Sequence, residues 1–283
     1  MKAEHQAPAP APPQYVPGAL GSTVASSRGG VEDQPVHALR STVSHAEVRG
    51  VRYLRIVVQT RWLTPHDELA VVLGGSVADL LLPDDTVVVS EKVAVLLTER
   101  GVPISSVRPG ALARLLAGRV RPRPGSRGLS VPEKMQYVLE RTGRTRLLLA
   151  AAAGAVTRPL GVHGCFYRVA GPLARDLDGG RPPFEHLLLP PLRPQEAAAL
   201  CTRLESALGT GVAIVDINDF GGTVRATSGR SLPAEVLRGV LADNPLGQRH
   251  QRTPIGVVRA VDAAAATLPP PAPGSRVSPP REP

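Results

Sequence analysis

The stretch Val212-Ala-Ile-Val-Asp216-Ile-Asn218-Asp219-Phe-Gly221-Gly222 constrains this chain more than any other. Val212 to Val215 is aliphatic and largely β-branched, the composition of an interior strand. Three oxygen-bearing side chains follow, and then two glycines at which the backbone can turn sharply. Asp216 and Asn218 share a parity and Asp219 has the other, so a straight strand splits them between faces. A turn at the glycines brings all three together. Ligands of α/β-like sheets gather beyond the carboxyl ends of strands, and hard oxygens there suit a magnesium ion that carries substrate phosphates. An Asx-rich turn with solvated carboxylates is the competing reading.

The ends of the chain do not look like domain material. Residues 1–45 contain Ala7-Pro-Ala-Pro-Ala-Pro-Pro13 and many Gly and Ser, and residues 269–283 hold seven prolines. Such segments bury too little apolar surface to offset their ordering entropy, so disordered tails are expected at 1–45 and 264–283. Between them, 46–263 suffices for one large domain or two interlocked lobes.

The chain carries a net charge of +9, of which the tails hold only +1. A basic core attracts anions. Aromatic residues make up 3% of the chain, too few for a base-stacking surface, so nucleotide phosphates or an acidic small molecule fit better than nucleic acid. Two cysteines, Cys165 and Cys201, imply no disulfide framework. No apolar run approaches a membrane span or a secretory leader. A cytoplasmic protein with no membrane partner is therefore expected.

Along the core, strands are predicted near 51–60, 86–90, 147–153, 212–217 and 255–259, with a turn and a further strand across 161–171. Helices are predicted from Thr64 to Leu81, over 109–117, from a capping box at Ser130 and Glu133 to Gly143, from Pro194 to Gly209, and from Ser231 to about Ala242. The mixture lacks strict alternation, which favours α+β. Lys92, directly after the 86–90 strand, is a candidate phosphate ligand or a solvated strand-end lysine. Asp67 reads as a helix-terminus residue with a possible ligand contact. His163, Asp176, Asp178, Gln248 and Arg249 are weaker candidates.

Several of these segments together resemble the γ-glutamyl ligases of the deazaflavin coenzyme F420. The segments are Gln59-Thr-Arg-Trp-Leu-Thr-Pro-His-Asp-Glu-Leu-Ala70, Asp85-Thr-Val-Val-Val-Ser-Glu-Lys92 and Val212 to Gly221. Pro132-Glu-Lys-Met-Gln136, Gly164-Cys-Phe-Tyr-Arg-Val-Ala-Gly171, Asn244-Pro-Leu-Gly-Gln248 and Thr253-Pro-Ile-Gly256 are similar to an uncharacterised ligase-like branch of that family. The resemblance implies an intertwined, mixed-sheet α+β core and a homodimer. It also implies that GTP, with magnesium or manganese, drives amide formation between L-glutamate and a phospholactyl deazaflavin. It further implies metal ligands at Asp216, Asn218 and Asp219 and a lysine, Lys92, at the end of the second strand; Lys92 and Asp67 are the candidate nucleotide contacts. Where the family's turn reads Asp-Thr-Phe-Gly-Arg-Pro-Trp-Arg, this chain has Asn218 through Arg225. Its leading residue is a neutral amide, and the tryptophan and a second lysine after Lys92 are absent.

Overall fold

The computed structural model describes residues 40–122, 127–180, 182–218, 221–247 and 251–261. In chain order the first elements are β1 (Arg40–Val48), β2 (Val51–Gln59), α1 (Leu69–Val77), β3 (Thr86–Ser90) and α2 (Glu91–Leu97). There follow β4 (Val102–Pro103), α3 (Ala111–Ala117), α4 (Pro132–Thr142), α5 (Arg144–Thr157), α6 (Cys165–Ala170) and α7 (Pro172–Asp176). The rest are β5 (Asp178–Gly179), β6 (Leu187–Leu189), α8 (Pro194–Leu208), β7 (Gly211–Asn218), β8 (Gly221–Thr227), α9 (Ala234–Val240) and β9 (Ile255–Val261). The fold is α+β with a mixed sheet, as the unalternated pattern requires.

The described residues fall into two compact units. One is Arg100–Pro191; the other combines residues 40–99 with 192–261. The second unit holds a six-stranded sheet in the order β1-β2-β9-β3-β7-β8. Among the described strands, only β3 and β7 run parallel. They are central, and their aliphatic runs Val87–Val89 and Val212–Val215 are buried, as strands covered on both faces must be. Tyr53, Val57, Val88, Ala213 and Val215 pack on one face against Leu237, Val240 and Leu241 at α9. Helices α1, α2 and α8 pack on the sheet, and α1 also packs on α8.

Local chemistry explains the unit's turns. Arg49 and Gly50 join β1 to β2 with φ of 53° and 78°, the two-residue, positive-φ turn whose twist matches paired strands. α8 begins at Pro194, with Glu196 accepting the Arg193 N–H at 3.2 Å, and ends at Gly209 in the left-handed region. Asp85, fully buried, accepts from Arg259 Nε and Nη2 at 2.7 Å each and from the Leu82 N–H at 2.8 Å. This bidentate pair ties the start of β3 to β9.

The other unit is mostly helical, with a small sheet in the order β4-β6-β5. Its core gathers Leu129, Met135, Val138, Leu147, Ala150 and Leu188.

Four of the five predicted strand windows lie in the large sheet, but 147–153 does not. It forms the middle of α5. The run contains only leucine and alanine, with no β-branched residue, and alanine is the best helix former. The strand expected within 161–171 is also helical: α6 starts after Gly164 (φ 86°) and stops at Gly171 (φ 95°). The first helix begins at Leu69 rather than Thr64. Ser130 caps nothing; its hydroxyl donates to the Arg127 carbonyl, and α4 starts at Pro132. Residues 40–45, assigned to the N-terminal tail, belong to β1. The tails expected over 1–39 and 264–283 lie outside the described residues. Among the described residues, no helix is long and apolar enough to cross a membrane.

Candidate functional site

The parallel pair β3 and β7 sets the site. Their register ends at Ser90 opposite Val215, so Glu91 and Lys92 leave β3 at the level where Asp216 leaves the covered part of β7. α2 starts at once, with Glu91 and Lys92 as its first two residues. Asp216 and Asn218, two apart on one strand, lie on the same face, as their parity predicts. Asn218 pairs with Gly221 and closes the β7–β8 hairpin. Asp219 lies outside the described residues, as do Gln248 and Arg249.

A β-bulge brings in a further residue. Ile214 pairs with Ala226 while Val215 pairs with Val224, which leaves Arg225 as the extra residue of β8. A bulge of this kind re-aims a side chain, and here the guanidinium reaches two acids. Arg225 Nε donates to Glu91 Oε2 at 2.8 Å, and Arg225 Nη2 lies 3.5 Å from Asp216 Oδ2. Glu91 Oε1 accepts from the Leu192 N–H at 2.9 Å. Glu91 is only 5% exposed. Burial pushes its carboxyl above the usual range and Asp216 adds a smaller push, while Arg225 and the Leu192 N–H pull the other way without cancelling it.

The hairpin admits no bulk at its start. A Cβ on Gly222 would lie 2.6 Å from the Asp216 carbonyl oxygen and 2.6 Å from Ile217 Cδ1. The second glycine of the motif is thus required by a close approach of β8 to the strand that carries Asp216.

Asp67 has a different setting. It belongs to the turn ahead of α1, where it accepts from the Thr64 N–H at 2.6 Å and pairs with Arg61. Burial raises its carboxyl, but Arg61 and Thr64 together outweigh that and hold it below its usual range. It lines a surface depression of about 430 Å³ with His66, Glu68 and Glu99. Lys92, Asp216 and Asn218 are not among the lining residues.

The weaker candidates have local settings of their own. His163 is exposed, its Nδ1 2.8 Å from the Gly161 carbonyl within one turn. Asp176 pairs with the adjacent Arg175 at the end of α7, and Asp178 opens β5. Cys201 is buried, and burial pushes its thiol up to about 11, so it is a core residue and no nucleophile.

Sequence reasoning did not single out Glu91 and Arg225 as a pair. The acid at the end of β3 was visible. Its partner lies 134 positions away, and only the bulge aims it there.

No protein-family model matches the chain, and no curated protein matches it. Among the described residues, no group of three His, Cys, Asp or Glu is arranged to hold a metal. Asp216 and the Asn218 amide supply two hard oxygens on one face, the donor type magnesium takes. Arg225 draws on the charge of Asp216, so a metal here must take most of its ligands from phosphate and water.

Proposed function

We propose that the chain is a nucleotide- and metal-dependent acid–amino-acid ligase. In this reading it adds L-glutamate to a phospholactyl deazaflavin, as the F420 ligases it resembles do, or to a related acidic acceptor. One observation carries the reading. The register of β3 against β7 sets a cation, Lys92, at the same strand ends as the oxygen donors Asp216 and Asn218. Phosphoryl transfer needs that combination, because its catalysis is mostly positioning and charge neutralisation.

In the reaction an acceptor carboxylate attacks the γ-phosphorus of GTP and GDP leaves. The resulting acyl phosphate is opened by the glutamate amine, which forms the amide and releases phosphate and a proton. Lys92 holds phosphate as a point charge. Asp216 and Asn218 would hold a magnesium or manganese ion, which would supply charge neutralisation at the phosphates. Glu91 and Arg225 position Asp216. The reading also carries a homodimer and a cytoplasmic setting, where GTP is supplied.

Isothermal titration with GTP or ATP and manganese tests it. Heat with a nucleotide, lost in Asp216→Asn, supports the reading. The second reading is a non-catalytic homologue, favoured by the Arg225 cation already facing Asp216. It is ahead if neither nucleotide gives heat or thermal stabilisation.

A further inference from the structure

The chain's positive charge sits almost wholly in one unit. Residues 100–191 contain fifteen Lys or Arg and five Asp or Glu, a net +10 against +9 for the whole chain. In that unit α5 uses one face for the core, where Leu147 and Ala150 are buried and Gly154 lies against Phe166. Its opposite face is also apolar, and it is exposed. Leu149 is 66% exposed, Val156 67% and Leu160, in the turn after the helix, 74%, with Leu148 and Val162 also exposed.

At 100° per residue, Leu148, Leu149, Ala152 and Val156 fall in one stripe roughly 100° wide that also holds the exposed Thr145, and Leu160 and Val162 follow beyond the end of the helix. Arg144 and Arg158 are exposed along one margin, and Arg146 stands on the other. Exposed aliphatic side chains bordered by arginine offer the two contacts, apolar and cationic, that a membrane interface takes from a protein surface. Isolated exposed leucines need no explanation, but a contiguous face does.

We propose that the outer face of α5 docks this unit onto the surface of a bilayer that carries anionic lipid. The charge selects this occupant. A second copy would bring +10 against +10, which disfavours self-association through this face. Exposed leucine and valine give nucleic-acid bases nothing to stack on. Anionic headgroups pair with the arginines while the acyl boundary takes the leucines. The absence of a membrane partner expected from the sequence rested on the lack of a spanning segment, and surface docking needs none. The proposal is independent of the ligase reading.

The test is co-sedimentation of the full-length protein with vesicles of phosphatidylglycerol and phosphatidylcholine, or of phosphatidylcholine alone, at low and high salt. The wild type is expected to sediment with the anionic vesicles only, and less at high salt. A Leu149→Gln, Val156→Gln, Leu160→Gln variant keeps good helix formers and removes the apolar stripe. An Arg144→Glu, Arg158→Glu variant removes the flanking charge. Each should weaken binding by about tenfold or more, with an unchanged circular-dichroism melt. If the triple variant does not fold, Leu149→Gln alone replaces it. No sedimentation of the wild type, equal binding to neutral vesicles, or undiminished binding by the glutamine variant overturns the proposal. A wild-type dimer that the glutamine variant splits overturns it too, because the occupant is then a second copy.

Discussion

Glu91 and Arg225, 134 positions apart, meet at 2.8 Å where the carboxyl ends of β3 and β7 lie side by side. Both are largely withdrawn from water, at 6% and 10% side-chain exposure. Removing one partner leaves the other charge buried and uncompensated, which typically costs about 3–5 kcal/mol. Glu91→Ala is expected to destabilise the fold by an amount of that order in urea unfolding. A loss under about 1 kcal/mol would show that the pair is solvated and sets nothing.

Glu91 also gives the protein a pH signature. Its folded-state carboxyl titrates above the ordinary value of 4.5, so the folded state binds its proton more tightly than the unfolded state does. The stability this contributes is complete below pH 4.5 and is lost as pH rises through the raised folded value. The stability of the wild type relative to Glu91→Gln should therefore fall as pH rises across that window. A difference that grows with pH would contradict the assignment.

Asp67 behaves in the opposite sense. Its carboxyl is held below the ordinary 3.8, so its contribution is present above that value and lost as pH falls through the lowered one. Asp67→Asn should cost about 1 kcal/mol near neutrality, because Arg61 is substantially exposed and the pair is screened. The cost should vanish in strong acid, as followed by unfolding at stepped pH.

Asp85 is the stronger anchor. Fully buried and held by both Arg259 nitrogens, it should cost about 3–5 kcal/mol on substitution by alanine. Asp85→Ala that melts with the wild type would remove the Arg259 bridge as a determinant of the sheet.

Gly222→Ala tests the close approach at the hairpin. With backbone and side-chain atoms at 2.6 Å from the added carbon, β7 or β8 must shift, at a cost of about 1–3 kcal/mol. If the ligase reading holds, the same change also moves Asp216 and weakens manganese-dependent nucleotide binding. Lys92→Ala should weaken nucleotide binding more than metal binding, read by titrating each separately.

What the sequence determined by itself were the elements whose side chains carry an unambiguous local signal. The β-branched runs at Val87–Val89 and Val212–Val215, the Pro194-to-Gly209 helix and the shared face of Asp216 and Asn218 all follow from composition and spacing. The leucine–alanine run of α5 was ambiguous, because a short apolar run fits a buried strand or a helix, and alanine's helix preference decided it. Only the tertiary structure decided the division into two units, the parallel adjacency of β3 and β7, and the partnership of Glu91 with Arg225. These are contacts between residues far apart in the chain. Each depends on how strands order themselves in a sheet and on one bulged residue, and no local spacing encodes either.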